Sequence, residues 1–226
     1  TTKALAQAKT SDVLKAWQGL GYNGRALHVK RAAEVIVEKH NGKFPKDYDS
    51  LLALPGVGPA TAGDIMAFVY NTPAIVLETN IRQVFFHHFF YPAKPRRSEG
   101  PTKPPTPLKF RGTSCKIHDN EIRPLVEKTL DRQNPREWYY ALMDYGAYLK
   151  KSGNTISRSA HYTKQTKFKG SNRELRSQIL KLVLTKPRTQ AEILKFLSSP
   201  APAIKKNLIA LEKEGLLIWK KGKLAT

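Results

Sequence analysis

The chain has 226 residues, 40% of them apolar, which is enough for one sizeable core or two small ones. Its 39 basic and 18 acidic residues give a formal net charge of +21, which favours a polyanionic partner such as nucleic acid. The sequence has no run of about 18 apolar residues that could span a membrane, no apolar signal stretch after Thr1, and one cysteine, Cys115, which excludes an internal disulfide and a cysteine-ligated zinc or iron–sulfur site.

The first 40 residues are predicted to be mostly helical. Residues 1–17 have helical spacing, and Thr10 or Ser11 is a candidate cap for a second helix over 12–18. A longer helix is predicted over 25–39, where alanine, valine and isoleucine recur on one side. We therefore expect the chain to begin with a helical domain.

A turn, Gly19-Leu20-Gly21-Tyr22, is predicted between these helices and exposes an aromatic ring. The local sequence leaves two roles open for Tyr22. The ring can cover a helix end as part of the core, or it can stay exposed and meet a ligand.

A second turn lies within residues 54–62, which read Leu-Pro-Gly-Val-Gly-Pro-Ala-Thr-Ala. Pro55 ends the helix predicted over 49–54, because proline lacks an N–H group and restricts the residue before it. Gly56 and Gly58 allow positive φ and a close backbone approach. The next helix, predicted over 61–69, then directs free N–H groups outward, which favours an anion such as a phosphate. For a bare Gly-x-Gly turn, an ordinary corner without a ligand is the alternative.

Three motifs occur in a fixed order: Gly-Leu-Gly-Tyr at 19–22, Gly-Lys-Phe-Pro at 42–45 and the turn at 54–62. Together they resemble the helix-hairpin-helix superfamily of DNA glycosylases, which includes the endonuclease III-type enzymes, and within it the adenine DNA glycosylase branch. The resemblance covers roughly residues 1–151. It implies an all-α glycosylase domain over that range.

The resemblance also implies roles for individual residues. Tyr22 would act as a wedge between base steps, which lowers the cost of extruding a nucleotide. The hairpin would bind a DNA phosphate and would hold a monovalent cation through backbone carbonyls. The candidate DNA contacts in this domain are Tyr22, Arg25, Gly56, Gly58, Thr61 and Arg82, and the candidate cation ligands are the carbonyls of Leu52, Leu54 and Val57.

Glu78 precedes a helix predicted over 80–90 and has two candidate roles. It can cap that helix, as acids often do in a first turn. It can also stabilise or attack the cation-like sugar through which glycosidic cleavage passes. Members of the family carry an aspartate at this position, so the extra methylene of Glu78 changes the reach of the carboxylate. Asn80 matches the asparagine of the adenine branch and is expected to hold the carboxylate or the substrate by hydrogen bonds.

The residue before the Thr61-Ala62 pair indicates the type of reaction. In the resembling bifunctional enzymes a lysine there attacks the sugar, forms a Schiff base and cuts the strand. Here that position is Ala60, which has no nucleophile. We therefore predict a monofunctional glycosylase that releases a base without cutting the strand. Lys30 and Lys43 are the alternatives to consider if a covalent adduct is found.

Residues 92–116 form a basic, proline-rich insert, which excludes a helix there. Two roles are possible for its basic residues, which can remain solvated in a loop or contact phosphates. These residues are Lys94, Arg96, Arg97, Lys103, Lys109, Arg111 and Lys116. Two more helices are predicted over 119–130, capped by Asp119 or Asn120, and over 135–151. A basic linker at 152–170 then takes the place of the iron–sulfur loop of many relatives, and the cysteine count excludes that cluster.

Residues 171–226 predict a small winged-helix domain, α-helical with a β-hairpin. Helices are expected over 172–184, over 190–197 after a Thr189 cap, and over 200–214, followed by two strands within 216–224 around a Lys-Gly turn. With 12 basic and four acidic residues, the domain carries a net charge of +8. The candidate DNA contacts are Lys205 and Lys206 on the third helix, beside Asn207, and Lys220 and Lys221 at the wing. Protein docking is the alternative role.

Our first hypothesis is a base-excision enzyme that acts on double-stranded DNA with a mismatch or lesion. Adenine opposite 8-oxoguanine is the leading substrate, followed by mismatched thymine or uracil. A non-catalytic reader of DNA damage or structure is the second hypothesis, because Glu78 replaces an aspartate and the relatives' N-terminal catalytic helix has no counterpart before Thr1. A winged-helix transcription factor ranks last, since it leaves the 54–84 motifs unexplained. We expect a cytoplasmic, nucleoid-associated monomer without a cofactor.

Overall fold

The computed structural model describes residues 1–90, 116–152 and 156–226, and no side chain is described for Ser152. The predicted basic insert, apart from Lys116, lies outside the described residues. Eleven α-helices and one β-hairpin form the described chain: α1 Thr2–Gln7, α2 Thr10–Ala16, α3 Gly24–Lys39, α4 Tyr48–Leu52, α5 Pro59–Asp64, α6 Thr79–Phe85, α7 Asp119–Thr129, α8 Pro135–Ser152, α9 Asn172–Thr185, α10 Gln190–Phe196, α11 Ala201–Lys213, β1 Ile218–Lys220 and β2 Lys223–Ala225. No helix among them is long and apolar enough to cross a membrane.

The described chain divides into two compact units. Unit 1 comprises residues 1–45, 53–56 and 165–226, and unit 2 comprises residues 46–52 and 57–164. This division differs from the boundaries predicted from the sequence at 151 and 171, because the N-terminal helices group with the C-terminal ones. Whether residues 171–226 also fold as an independent domain stays a prediction.

The core of unit 1 explains this grouping. Leu14 of α2 and Leu27 of α3 belong to the same buried cluster as Ile179 of α9 and Ile204 of α11. In α9 the buried residues recur at helical spacing, which gives that helix one apolar face. The apolar sides of α2 and α3 are therefore buried together with the apolar sides of the C-terminal helices.

Residues 172–225 have the predicted winged-helix arrangement of three helices and a hairpin. Thr189 begins α10 with a capping box, in which its hydroxyl accepts from Glu192 N at 3.2 Å and its own N–H donates to the Glu192 carboxylate at 2.7 Å. Strand β1 pairs antiparallel with β2. Lys221 and Gly222 between them have φ of 48° and 74°, as a two-residue type I′ hairpin turn requires. The fold class predicted from the sequence is confirmed.

Unit 2 is built around the packing of α6 against α8. Its core contains Ile81 and Phe85 of α6, Tyr139 of α8, and Ile122 and Val126 of α7. At the crossing of α6 and α8, a side chain at Gly146 would overlap the carbonyl oxygen of Asn80. Only glycine fits this contact, and the close approach fixes the start of α6, where Glu78 lies.

Several helix ends differ from the sequence-based predictions. Lys9, without a side-chain hydrogen bond, occupies the capping position of α2, so Thr10 and Ser11 lie inside the helix. His118 precedes α7, and its N–H donates to Glu121 at 2.9 Å, so Asp119 and Asn120 are not the caps. Both helices therefore begin one or more residues earlier than the polar candidate caps predicted.

Two helices continue as wider π-helical turns. Residues Ile65–Val69 follow α5, and Phe86–Phe90 follow α6. The single α-helices predicted over 61–69 and 80–90 were therefore correct in position but not in hydrogen-bond pattern. A π-turn inserts an extra residue into the helix, which rotates the side chains that follow.

Candidate DNA interface and active site

The hairpin at 54–62 combines a tight turn with backbone N–H groups that make no hydrogen bond within the helix. Gly56 has a φ of 76°, and a Cβ there would overlap His28, so the position requires glycine. Gly58 precedes α5 with extended backbone, and the first N–H donated into that helix is that of Ala62, to Gly58 O at 2.9 Å. The N–H groups of Ala60 and Thr61 are thus left without an intrahelical partner, as at any helix start. Both residues are exposed, so the N–H groups can meet an anion.

The Gly19–Tyr22 turn leaves its aromatic ring in solvent. The side chain of Tyr22 is 63% exposed, at a φ of 48°, so it does not serve as a core ring over a helix end. Trp17 Nε1 donates to Gly21 O at 3.0 Å and holds the turn. The guanidinium of Arg25 lies 5.3 Å from the Tyr22 ring centroid and 5.6 Å from that of Trp17. The position suits a wedge, and the wedge role of Tyr22 stays a prediction.

Glu78 occupies the capping position of α6 without capping it. Its backbone is extended, with φ −84° and ψ 163°, and its side chain makes no capping hydrogen bond. The residue is half-buried. Of the two roles that the sequence left open, the capping role is therefore not realised, and among the described residues no other hydrogen bond to this carboxylate is found.

Asn80 connects α6 to α8. Its side-chain Nδ2 donates to Met143 O at 3.2 Å, and its own carbonyl lies against Gly146. The structure therefore shows Asn80 bonded to the α8 backbone, and the predicted bond to the Glu78 carboxylate is not seen. Asn80 fixes the helix that carries Glu78, while its contact with a substrate stays a prediction.

Arg82 is engaged in an ion pair. Its Nε and Nη2 atoms donate to the two carboxylate oxygens of Asp119 at 2.8 and 2.7 Å, and its side chain is 17% exposed. The hydrogen bonds from Arg82 hold the pKa of Asp119 below its ordinary value of 3.8, and burial opposes this effect. This bidentate pair uses the Nε donor and one N–H of Nη2, so a DNA contact by Arg82 would have to use Nη1 or the second N–H of Nη2.

A second carboxyl group, which sequence reasoning missed, lies near Glu78. Asp64 ends α5, and its Oδ1 atom is buried without a hydrogen-bond partner in the described chain. Burial, and secondly the charge of Glu78, raises the pKa of Asp64 to about 6. A signal was present in the sequence, since Asp64 is the only charged residue between positions 57 and 77.

The extended segment before Glu78 is fixed by a buried tyrosine. The Tyr139 hydroxyl donates to Ala74 O at 2.7 Å and accepts from Val76 N at 3.0 Å. Burial first, and the charge of Asp64 to a lesser extent, raises the pKa of Tyr139. A Cβ at Gly63 would lie 3.0 Å from Ile75 O, so α5 approaches this segment closely. These contacts bring Asp64 and Glu78 into one electrostatically coupled site.

The winged-helix lysines are exposed, whereas the neighbouring asparagine is not. Lys205, Lys206, Lys220 and Lys221 all lie on the surface of unit 1. Asn207 is 3% exposed, and its Nδ2 donates to Asn172 Oδ1 at 2.7 Å and to Ala203 O at 2.9 Å. Asn207 therefore holds α11 to α9 and is not available to a ligand. DNA binding by the four lysines stays a prediction.

No group of three or more His, Cys, Asp or Glu side chains that could hold a metal ion occurs in the described part of the chain. Within that part, the carbonyl oxygens of Leu52, Leu54 and Val57 accept no backbone hydrogen bond. A monovalent cation at these carbonyls stays a prediction.

Comparisons with known proteins found a matching family model and similar sequences. A family model described as "Helix-hairpin-helix motif" matches residues 39–68, which include the whole turn. An adenine DNA glycosylase of Buchnera aphidicola subsp. Baizongia pistaciae is 27% identical over 225 residues, which cover 96% of this chain and 55% of that protein. An adenine DNA glycosylase of Mycobacterium tuberculosis is 44% identical over 84 residues, 37% of this chain and 28% of that protein.

A solved structure of a non-covalent endonuclease III–DNA complex aligns with a TM-score of 0.49 and 20% identity, covering 68% of this chain and 62% of that one. The chain spans about half the length of the first of the curated relatives, and less of the second. The match to the Buchnera protein covers 96% of this chain and therefore spans the positions of all three motifs, 19–22, 42–45 and 54–62. On these matches the chain is similar to proteins with a helix-hairpin-helix motif and to adenine DNA glycosylases.

Proposed function

We propose that this protein is a monofunctional DNA glycosylase of base-excision repair, which hydrolyses the N-glycosidic bond of a mispaired or damaged base. The observation that carries the proposal is the half-buried carboxylate of Glu78, which stands at a helix start without capping it and is coupled to a second carboxyl, Asp64. A capping role would require a hydrogen bond that Glu78 does not make. A carboxylate so held is suited to stabilise positive charge on a sugar.

The reaction divides between the hairpin and the carboxyl pair. The free N–H groups of Ala60 and Thr61 bind a phosphate of the strand, which positions the nucleotide, and Tyr22 fills the space that the extruded base leaves. As the bond from the sugar to the base breaks, its electron pair leaves with the base. The carboxylate of Glu78 stabilises the positive charge left on the sugar. Water adds to that carbon, and the proton that it gives up neutralises the departing base.

Asp64 acts in this proposal as a positioning residue. Because its pKa is about 6, a fraction of Asp64 still carries its proton near neutral pH, which limits the negative charge beside Glu78. A neutral Asp64 avoids the repulsion between two like charges in a half-buried site.

The absence of a lysine at the hairpin supports hydrolysis without strand cleavage. Ala60 is exposed at the start of α5 and carries no amine. Of the alternative lysines, Lys30 donates to Ala6 O at 3.1 Å and pairs with Glu34, so its amine is engaged. A Schiff-base route would need a free amine next to the sugar.

Adenine opposite 8-oxoguanine is the substrate that we propose, because the similar proteins of two organisms are named adenine DNA glycosylases. Mismatched thymine or uracil is the next candidate. We further propose that the protein acts as a monomer on duplex DNA in the cytoplasm, associated with the nucleoid. The carbonyls of Leu52, Leu54 and Val57 would hold a monovalent cation, which would add positive charge beside the bound phosphate.

A non-catalytic reader of DNA damage is the second candidate function. The observation that favours it is Glu78 itself, whose longer side chain replaces the aspartate of the resembling family. Both functions predict DNA binding, so only a measurement of base release separates them.

The experiment is a glycosylase assay on a panel of labelled duplexes with adenine opposite 8-oxoguanine, adenine opposite guanine, thymine opposite guanine and uracil opposite guanine. We expect base release, detected as strand breaks after alkali, and no covalent trapping by borohydride. Glu78→Gln should slow release by about a hundredfold to a thousandfold, while Glu127→Gln, at an exposed position of α7, should not. Lesion-specific binding without release on any duplex would support the reader instead, and efficient trapping would contradict the monofunctional assignment.

A further inference from the structure

A cleft of about 840 Å³ lies in unit 1. The turn at 19–24 forms one wall, and helix α9 with the segment before it forms the other. Its volume is in the range of small-molecule sites, which hold a ligand of nucleotide size. Of its lining residues, Tyr22 has a role in the proposed base excision and Arg25 is a predicted DNA contact, while the others have no assigned role.

Two exposed aromatic rings line the cleft. Tyr22 is 63% exposed and Phe168 is 54% exposed, although rings of this size are usually mostly buried. Each ring has a guanidinium over it, Arg25 at 5.3 Å from the Tyr22 centroid and Arg173 at 6.0 Å from the Phe168 centroid. A ring with a cation on one face keeps its other face for a flat partner such as a nucleobase.

The rings are held in place before any ligand binds. Gln165 Nε2 donates to the Tyr22 hydroxyl at 2.5 Å, across the cleft entrance that both residues line. The guanidinium of Arg173 donates to Thr166 O at 2.6 Å, which fixes the cation above Phe168. Such preorganisation lowers the entropy that a ligand must lose on binding.

The charge of the lining selects an anion. Four cationic side chains line the cleft, namely Arg25, Arg173, Arg176 and Lys181, against one carboxylate, Glu214. Arg176 pairs with Glu214 at 2.5 Å, so within the described chain the other three cations have no carboxylate partner. A ligand with flat rings and regularly spaced negative charges satisfies both the aromatic rings and these cations.

We propose that this cleft binds an unpaired segment of a DNA strand, with a base stacked on Phe168 and the backbone phosphates at Arg25 and Lys181. A base inside an intact duplex cannot stack on Phe168, because its faces are covered by its neighbours in the duplex. The inference goes beyond the proposed base excision and does not depend on it, since no residue of the carboxyl pair takes part.

The test measures binding of a fluorescein-labelled oligothymidylate by anisotropy, with Phe168→Leu as the main variant. This change keeps an apolar side chain and all charges but removes the aromatic face. We expect binding to weaken about tenfold, as the loss of one stacked base predicts, with an unchanged salt dependence. Tyr148→Leu, which also replaces an exposed ring by leucine but in unit 2, is the control and should bind as the wild type does.

Three further binding measurements separate base stacking from phosphate contacts and from base excision. An oligonucleotide with abasic sites should bind as weakly to the wild type as the oligothymidylate binds to Phe168→Leu. Arg25→Gln and Lys181→Gln should each lower the salt dependence by about one phosphate contact. Glu78→Gln should leave oligothymidylate binding unchanged, which separates this inference from the proposed excision.

Equal binding of Phe168→Leu and the wild type, with thermal melting showing both folded, would overturn the proposal. So would equal binding of the abasic strand, which would indicate phosphate contacts alone. If a low concentration of a free mononucleotide displaced the strand, the cleft would instead be a site for small nucleotides.

Discussion

The two units of the chain differ in where they place their polar chemistry. In unit 1 the cationic and aromatic groups, such as Tyr22, Arg25 and Lys205, are exposed, and each interacts with solvent as well as with its neighbours. In unit 2 the groups that matter are the half-buried carboxyls of Glu78 and Asp64. Water and salt screen the interactions of exposed charges, and the contributions of separate charges to binding add. Half-buried carboxyls interact strongly with each other at short range. We therefore expect single substitutions to have graded effects in unit 1 and large effects in unit 2.

The largest effect is expected at Glu78. Substitution by glutamine removes the charge that stabilises the sugar cation while it keeps the size of the side chain. We expect the rate of base release to fall by about a hundredfold to a thousandfold, as when one electrostatic stabiliser is lost elsewhere. Single-turnover glycosylase assays measure this rate. A variant that releases base as fast as the wild type would show that Glu78 is not the stabilising carboxylate.

The exposed cations of unit 1 should dominate DNA affinity. Between about 50 and 200 mM salt, we expect duplex affinity to fall by about a thousandfold if six or more phosphates are neutralised. Replacing Lys205, Lys206, Lys220 and Lys221 by glutamine should weaken binding and reduce its salt dependence by up to about one contact each. The exposed lysines Lys128 and Lys150 of unit 2 are the matched controls. An affinity that does not depend on salt would contradict the electrostatic account.

The close contact in unit 2 gives a stability prediction. Gly146→Ala places a methyl group against Asn80 O, which forces α6 and α8 apart and displaces Glu78. We expect a loss of about 1–3 kcal/mol of unfolding free energy, the usual cost of overpacking, and a reduced rate of base release. Gly24→Ala, in the first turn of α3 with open space around it, should have no such cost. Urea denaturation of both variants measures the difference.

The smallest effect is expected from the pH dependence of Asp64. Its folded-state pKa of about 6 lies above the ordinary value of 3.8, so between these pH values the folded protein binds more protons than the unfolded chain. The stability that the protonated carboxyl contributes is therefore present at pH 4 and is lost as the pH rises through 6. Asp64→Asn should remove this decline.

The measurement is urea denaturation between pH 4 and 7. The wild type should lose stability relative to Asp64→Asn over that window, while Asp144→Asn, at an exposed carboxyl of α8, should follow the wild type. Parallel curves for the wild type and Asp64→Asn would show that Asp64 does not carry the raised pKa.

Local patterns were sufficient for the positions of most helices. The winged-helix segments 172–184, 190–197 and 200–214 match α9, α10 and α11 within two residues at each end. The Lys-Gly turn matches the hairpin, because positive φ at Lys221 and Gly222 is a local requirement. Helix ends were less predictable, as at Lys9 and His118, since a cap depends on which residue the neighbouring packing leaves outside the helix.

The roles of polar residues were less predictable than their positions. Arg82 was predicted to contact DNA and Asn207 to lie on the recognition helix, yet the structure bonds Arg82 to Asp119 and Asn207 to Asn172. The partners lie 37 and 35 residues away along the chain, so no local pattern could reveal them. For Glu78 the sequence left two roles open, and the missing capping bond decided against one of them.

The sequence by itself determined the helix-hairpin-helix turn, the similarity to DNA glycosylases, the net charge and the position of Glu78, because each follows from the order or the composition of the residues. The tertiary structure alone decided that Asp64 is coupled to Glu78, that Asn80 and Gly146 join α6 to α8, and that the N-terminal helices share a core with the winged helix. The physical reason is that burial and charge coupling depend on distances in space. Those distances are set by the packing of segments far apart in the sequence.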